Sequence, residues 1–474
     1  MSIGLTLVIF FGILLVAVFL GSTIFSSMGF TAAVGMLAWL GMNRLSQFGV
    51  IAYTQGTSFN QIIAPMFIMM SEFLSQGQIA EDIFAVLNRG IGRFKGGLAI
   101  STTLACTIFA ALCGSSPATA ASIGRISIYE MTKRGYSPAF AVGTVAAGGT
   151  LGIMIPPSIT FCLYGIITET SIVQLFMAGI LPGILLALLI IGSIVIRVRV
   201  TPALINALPE NGVTPKSAGD LNAAAAREII QAAVQTAKDE SAAKGKPESA
   251  PSETPQRKKE VGFLTILPAI ILIFIVLGSM YLGFATPLEA AGYGVIGAFI
   301  ITVAQRRLTR KMFSSVFLNT ARTGSMMIFL MMCGFVMTFV LSYLGIPQTI
   351  ANAIIASGLS KYTVLILVYV LWFILGCLMD PASMIILTIP VMFQTLTKFG
   401  FDQLWLGVVV VLAAQIAMIT PPIGMNLFVL KANSDVPMSQ IMRGCVPYVI
   451  VLFIGMAILT FFPVIATLLP SLMF

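Results

Sequence analysis

The sequence predicts an all-α integral membrane protein, built as an inverted repeat with about ten spanning helices and two re-entrant helical hairpins. Three observations carry that prediction. Of 474 residues, 58% are hydrophobic and 9% are charged, whereas about a quarter of a soluble domain is charged. Apolar runs at 5–22, 26–42, 171–196, 262–282 and 445–468 are each close to or above the ~18 residues that mark a spanning helix. Two further apolar segments are interrupted by short polar stretches containing proline, GSSP at 114–117 and MDPASM at 379–384.

The charges order these elements. Basic residues gather at Arg89/Arg93/Lys95, Lys133/Arg134, Arg197/Arg199, Arg257/Lys258/Lys259 and Arg306/Arg307/Arg310/Lys311, while the segments near 43–58, 343–361 and 397–403 carry only Arg44, Lys361 and Lys398. The positive-inside rule places the five basic loops in the cytoplasm, which also accounts for the net charge of +9 without any nucleic-acid partner. The loops at 89–95 and 133–134 then share a side, so the apolar segment between them enters and returns. The same argument makes 363–396 a hairpin opening the opposite way, and it leaves both termini outside. No basic region precedes the first run, which reads as a spanning helix and not as a cleaved signal peptide.

Taken in order, residues 1–60 are expected to form N-terminal scaffold helices. Residues 61–170 form a first repeat with hairpin 97–128 and broken helix 138–168, followed by a scaffold helix at 171–200. Residues 201–260, rich in Ala, Lys, Glu, Ser and Pro, read as a solvated cytoplasmic linker with a helix capped by Asp220. Scaffold helices follow at 261–319. A second repeat spans 320–430, with hairpin 363–396 and broken helix 404–430, and 431–474 is a C-terminal helix. The repeat is visible in the letters: GGTLGIMIPPSI (148–159) follows the first hairpin and AQIAMITPPIG (414–424) the second. Pro117 and Pro156 lie 39 residues apart, Pro381 and Pro421 lie 40 apart. A hairpin followed by a proline-broken helix, twice and inverted, is the layout of a secondary transporter.

The breaks are where chemistry is expected. Irregular backbone at membrane depth persists only inside protein or against a watery cavity. Ser116-Pro117, Asp380-Pro381 and Thr420-Pro421 each read as a helix cap with proline at the first helical position, and Ile155-Pro156 more weakly. Helix N-termini attract anions and chain ends offer carbonyls to Na⁺. Substrate contact is therefore expected at Ser116, Pro117, Pro156, Pro157, Ser158, Pro381, Pro421 and Pro422. Gly114, Gly148, Gly149, Gly152 and Gly424 let backbone approach a ligand, or pack helices closely. Ser115, Ser116, Thr150, Ser383, Thr420 and Asn426 add oxygens. Asp380 is an ionisable residue near mid-membrane, read both as a cap and as an ion ligand.

Other features are structural or exclusions. Thr286-Pro287-Leu288-Glu289 is a capping box, MMIFLMMCGFVM (326–337) is packing, and the six cysteines read as inert buried thiols. Glu72, Arg125, Glu169 and Arg322 lie in or near apolar segments, with partners the sequence leaves open. The chain has no histidine, which removes His-based catalysis and His metal sites, and no Walker motif for ATP. An enzyme is not expected: a serine nucleophile at 115 or 116 lacks a lysine partner within the membrane.

At these residues the chain resembles the large, DctM-like membrane subunit of tripartite ATP-independent periplasmic (TRAP) transporters. The matching stretches include FIMMSEFLSQGQIAEDIF, FKGGLAISTTLACTIFAALCGSSPATAASIG, RGYSPAFAVGTVAAGGTLGIMIPPSITFCLYGIITETSI, FATPLEAAGYG, GCLMDPASMIILTIPV and ITPPIGMNLFVL. They cover nearly everything but the linker. The resemblance implies an elevator-type transporter of the bacterial inner membrane, driven by inward Na⁺. It implies a small four-helix (Q-type) membrane subunit, a periplasmic substrate-binding protein (P-type), and an organic anion such as a carboxylate or sulfonate. It also implies one Na⁺ site at Gly114, Ser115, Ser116, Gly149 and Thr150, and a second at Asp380, Ser383, Thr420, Gly424 and Asn426. The small subunit is not fused here and the linker is longer than in many members. A carboxylate symporter or anion permease of the same architecture, working without a binding protein, is the alternative, with a passive channel behind it.

Overall fold

A computed structural model describes residues 3–206 and 262–473. The expected Asp220-capped helix and Arg257/Lys258/Lys259 lie outside the described residues. Among those residues, all regular secondary structure is helical. The chain opens with α1 (Ile3–Phe19), α2 (Ile24–Gly35, continued by a π turn to Leu40), α3 (Ser46–Gly56), α4 (Ile63–Gln76) and α5 (Ile79–Ile91). A helical pair follows, α6 (Gly97–Cys113) and α7 (Ser116–Lys133), then α8 (Pro138–Thr150), α9 (Ile159–Thr168) and α10 (Ile172–Val200). After the linker come α11 (Phe263–Tyr281), α12 (Pro287–Ala304), α13 (Arg310–Tyr343) and α14 (Ile346–Ala356). The second pair is α15 (Lys361–Leu378) and α16 (Pro381–Lys398), followed by α17 (Gln403–Ile419), α18 (Met425–Ala432), α19 (Met438–Phe461) and α20 (Val464–Met473).

The inverted repeat stands out in this order. The pairs α6–α7 and α15–α16 are each joined by only two residues, and each is followed by a helix in two pieces, α8–α9 and α17–α18. Both Pro-Pro bonds between those pieces, Pro156-Pro157 and Pro421-Pro422, are cis. Among the described residues, six helices are long and apolar enough to cross a membrane unaided: α10, α11, α12, α13, α15 and α19. The remaining apolar length is divided among shorter helices.

Sequence chemistry explains the departures from expectation. The C-terminal segment is two helices, not one, because Pro463 cannot continue α19 and pushes Phe462 out of helical geometry. Helix α13 begins three turns earlier than the apolar run, where Thr309 accepts a bond from the Met312 amide at 3.1 Å. The capping box at Thr286 and Glu289 forms, each side chain bonding the other's backbone amide. Four cysteines are buried, but Cys333 and Cys377 are partly exposed on helix surfaces.

The core is centred on α8 and α17. Every residue from Phe140 to Thr150 and from Trp405 to Ile419 is buried, as expected of helices apolar all round. Alanine, glycine and threonine in α8 let it run backbone to backbone with α19. A Cβ at Gly143 would stand 2.1 Å from the Gly444 carbonyl oxygen, and one at Gly444 2.0 Å from that of Ala139. Only glycine fits either position, the small-residue packing typical of membrane helices. Buried polar atoms tie the core together: Thr144 and Tyr448 hydroxyls lie 2.8 Å apart, and Trp405 Nε1 donates to the Leu459 carbonyl at 2.7 Å.

The basic turns sit near one another. The Ser137 amide donates to the Leu204 carbonyl at 2.8 Å, and a Cβ at Gly96 would be 3.1 Å from Val198. The loops after α5, α7 and α10 therefore share one end of the molecule, as their charge predicts.

Candidate functional site: a cavity between two hairpin tips

The first hairpin tip is shaped by Gly114. It ends α6 in the left-handed region at φ +63°, and a Cβ there would come within 2.6 Å of the Pro157 carbonyl oxygen. Left-handed geometry and this close approach both exclude larger residues. Because Gly114 stops α6 so abruptly, the extended residue before α7 is Ser115, not Ser116. Pro117 thus falls at the second helical position, and Ser116 lies inside α7, fully buried. The expected Ser116 cap is replaced by a cross-repeat contact: Asn426 Nδ2 donates to Ser116 Oγ at 2.8 Å.

The second tip matches its sequence reading. Asp380 caps α16, with one carboxylate oxygen accepting the Ser383 amide at 3.1 Å and the other the Ser383 hydroxyl, and Pro381 opens the helix. The broken helices do not follow the expected grammar. Thr420 closes α17, its hydroxyl donating back to the Ile416 carbonyl at 2.6 Å, and α18 starts only after Gly424. A Cβ at Gly424 would lie 2.4 Å from the Met418 carbonyl oxygen, so the chain folds tightly onto the end of α17 before a helix resumes. In the first repeat the cap is Ser158, not Ile155; its oxygen accepts the Phe161 amide at 3.3 Å while its hydroxyl donates to the Ile153 carbonyl at 2.6 Å.

Both tips open on one cavity of about 290 Å³. Gly114, Ser115 and Pro117 line it from the first hairpin, and Asp380, Pro381 and Ala382 from the second. Ile153, Thr160 and Met425 close it from the broken helices, and Ser71, Glu72 and Thr323 from α4 and α13. The acidic side chains in its wall are Glu72 and Asp380, and no lining residue is basic. Glu72 accepts from Gln76 Nε2 at 2.7 Å and Asn319 Nδ2 at 3.2 Å.

The sequence-derived residues divide into two groups. Gly114, Ser115, Pro117, Asp380 and Pro381 reach the cavity wall. Behind it lie Ser116, Ser383 and Asn426, nearly or fully buried. Gly149 packs against Ala120, and the Thr150 hydroxyl turns back to the Ala147 carbonyl at 2.7 Å. Pro156, Pro157, Ser158, Thr420, Pro421, Pro422 and Gly424 shape the breaks without lining the cavity. Of the open charges, Glu72 reaches the cavity, Glu169 closes α9, and Arg322 is exposed on α13. Sequence reasoning missed Ser71, whose hydroxyl lies 2.9 Å from Cys113 Sγ, and Thr160 and Thr323. The signal for Thr160 was its place directly behind the PPSI turn.

The buried polar shell behind the tips has vacancies in hydrogen bonding. Asn426 Oδ1 and both amide atoms of Gln415 are buried without a partner. Native interiors contain few such groups, and these stand beside the break between α17 and α18.

The model of the DctM component of tripartite ATP-independent periplasmic transporters matches residues 11–465. The chain belongs to this family. It is 31% identical to the C4-dicarboxylate TRAP transporter large permease protein DctM of Pseudomonas aeruginosa, over 94% of each chain. It is 29% identical to the isethionate TRAP transporter permease protein DctMQ of Oleidesulfovibrio alaskensis, covering 92% of this chain and 62% of that one. The ectoine/5-hydroxyectoine TRAP transporter large permease protein UehC of Ruegeria pomeroyi is 29% identical, over 96% and 99%. In structure, the Alcanivorax borkumensis YdaH transporter superposes with a TM-score of 0.56 at 15% identity, over 90% and 89% of the two chains, a likeness of fold. The chain is thus a multi-pass large permease component of a bacterial TRAP transporter, not an enzyme.

Proposed function

We propose that this chain is the Na⁺-coupled permease for a small organic anion, moved by an elevator displacement of the two hairpins and broken helices against the remaining helices. The observation that carries the reading is the charge of the cavity. Two carboxylates and no basic side chain line it, so a carboxylate or sulfonate entering alone meets repulsion at short range, where the effective dielectric is low. Cations bound beside the tips reverse that balance, and the N-terminus of α7 adds partial positive charge. One Na⁺ is assigned to Gly114, Ser115, Ser116, Gly149 and Thr150, and a second to Asp380, Ser383, Thr420, Gly424 and Asn426. The unpaired Asn426 Oδ1 supports the second position. Pro117 and Pro381 face the anion from the cavity wall, and the turns at Pro156, Pro157, Ser158, Pro421 and Pro422 support that wall from behind.

The anionic substrate class is supported by the relatives named for C4-dicarboxylate and isethionate. A small membrane subunit works with this chain, a periplasmic binding protein delivers the anion, and the basic loops face the cytoplasm with both termini periplasmic. The test is uptake of a labelled C4-dicarboxylate into proteoliposomes holding this chain and its small subunit, with binding protein outside. Accumulation against a gradient should need both inward Na⁺ and the binding protein. Equal uptake in K⁺ refutes coupling, and equal uptake without the binding protein establishes the stand-alone symporter instead.

A further inference from the structure

Away from the hairpin tips, a second recess of about 430 Å³ lies between α5 and α7, at the end bearing the basic loops. Its rim holds three guanidinium groups, Arg89 from the last turn of α5, Arg93 from the turn after it, and Arg134 at the end of α7. Its floor is apolar, with Phe84, Ala85 and Ile126. One carboxylate, Glu130, lines it and is engaged by Arg134 at 3.5 Å. Among the described residues, neither Arg89 nor Arg93 has a carboxylate within ion-pair distance. The recess therefore holds uncompensated positive charge above a greasy base.

We propose that this recess binds the phosphodiester headgroup of an anionic phospholipid. Guanidinium forks match phosphate oxygens, and basic pockets between membrane helices take lipid headgroups. A free phosphate satisfies the rim alone, whereas a lipid also covers the partly exposed Ala85 and Ile126 with its glycerol and first methylenes. A bound headgroup straps α5 to α7. That joins the helix leading into the first hairpin to the helix leaving it, about two turns along α5 from its own anchor: Arg307 pairs with Asp82 at 2.7 Å.

The experiment is native mass spectrometry of the detergent-purified protein titrated with phosphatidylglycerol, with phosphatidylcholine and inorganic phosphate as separate arms. Phosphatidylglycerol should be retained in preference to phosphatidylcholine. The variant R89Q/R93Q should weaken it about 30-fold, from about fivefold per guanidinium near a membrane surface. R89K/R93K should recover most of that loss, showing that the glutamine variant remains folded. R199Q/R310Q, which removes two exposed charges elsewhere, should leave retention unchanged. Equal binding by R89Q/R93Q and the parent, or an equal loss in R199Q/R310Q, overturns the site. Inorganic phosphate binding as tightly as phosphatidylglycerol overturns the lipid as its occupant.

Discussion

Replacing Ser116 with alanine should destabilise the folded protein by about 1–3 kcal/mol, the cost of a buried polar group left without its partner. The geometry sets that figure. Ser116 and Asn426 are both fully buried, their bond is 2.8 Å, and Asn426 Oδ1 already has no partner. Removing Ser116 Oγ leaves the whole amide unpaired. Asn426→Leu removes the amide instead, so the double variant contains no orphaned group at this contact. Its loss should fall short of the sum of the singles by about 0.5–3 kcal/mol, the range for residues in direct contact. Unfolding midpoints in one detergent, with KCl throughout, supply the cycle. Additive losses refute the bond as the link between the repeats. Repeating the scan in NaCl at equal ionic strength tests the ion. At a hundredfold excess over Kd a bound Na⁺ stabilises by about 2.7 kcal/mol, and Ser116→Ala should remove part of that rise. A full Na⁺ response in the variant excludes Ser116 as a ligand.

The remaining predictions concern the tips and α5. Asp380→Asn keeps a capping side chain of equal rank, so stability should stay within about 0.5 kcal/mol while Na⁺-driven uptake falls at least tenfold; unchanged uptake would reduce Asp380 to a cap. Gly114→Ala meets a carbonyl at 2.6 Å and a left-handed backbone, whereas Gly400→Ala has φ +81° with nothing within 4 Å. The second should lose only the ~1–2 kcal/mol of left-handed geometry and the first clearly more, with uptake abolished; equal losses in thermal unfolding would deny the contact with Pro157. Burial raises the Asp82 carboxyl above its ordinary range, opposed by the Arg307 guanidinium. A carboxyl that holds its proton better when folded stabilises fully below about pH 4 and loses that contribution as pH rises through the raised value. Asp82→Asn should therefore flatten the fall in unfolding temperature above pH 4; a slope identical to the parent's refutes the assignment.

What the sequence showed and what it hid have separate physical causes. Hairpins and breaks were legible because lipid forbids unpaired backbone, so any polar, proline-bearing interruption of an apolar run has structural meaning. Asp380-Pro381 was legible to the residue because a carboxylate cap acts locally, on an amide three positions away. Ser115 against Ser116 was not, since two serines in a row leave the choice to Gly114 and to the Pro157 carbonyl it must pass. TPPIG reads as a cap followed by prolines, yet Gly424 folds the chain back first. The bond from Asn426 to Ser116 spans 310 residues, and no local pattern announces a partner that far away. Glu72 was visible as a charge in a greasy segment, but its place in the same cavity wall as Asp380 depends on how segments about 300 residues apart are brought together.

The seam between α8 and α19 also bears on how the molecule is made. Gly143 meets Gly444 without intervening side chains, and Thr144 reaches Tyr448 across 304 residues. At translation rates of about 5–20 residues per second, that interval is about 15–60 s. During it α8 sits in the bilayer with its glycine face uncovered, and the first hairpin is without the amide that will hold Ser116. Both halves of the cavity are therefore completed by some of the last helices to leave the ribosome. A chain interrupted after α17 inserts most of its apolar mass yet lacks Met425 in the cavity wall and the Asn426 amide behind it, so its site is unfinished.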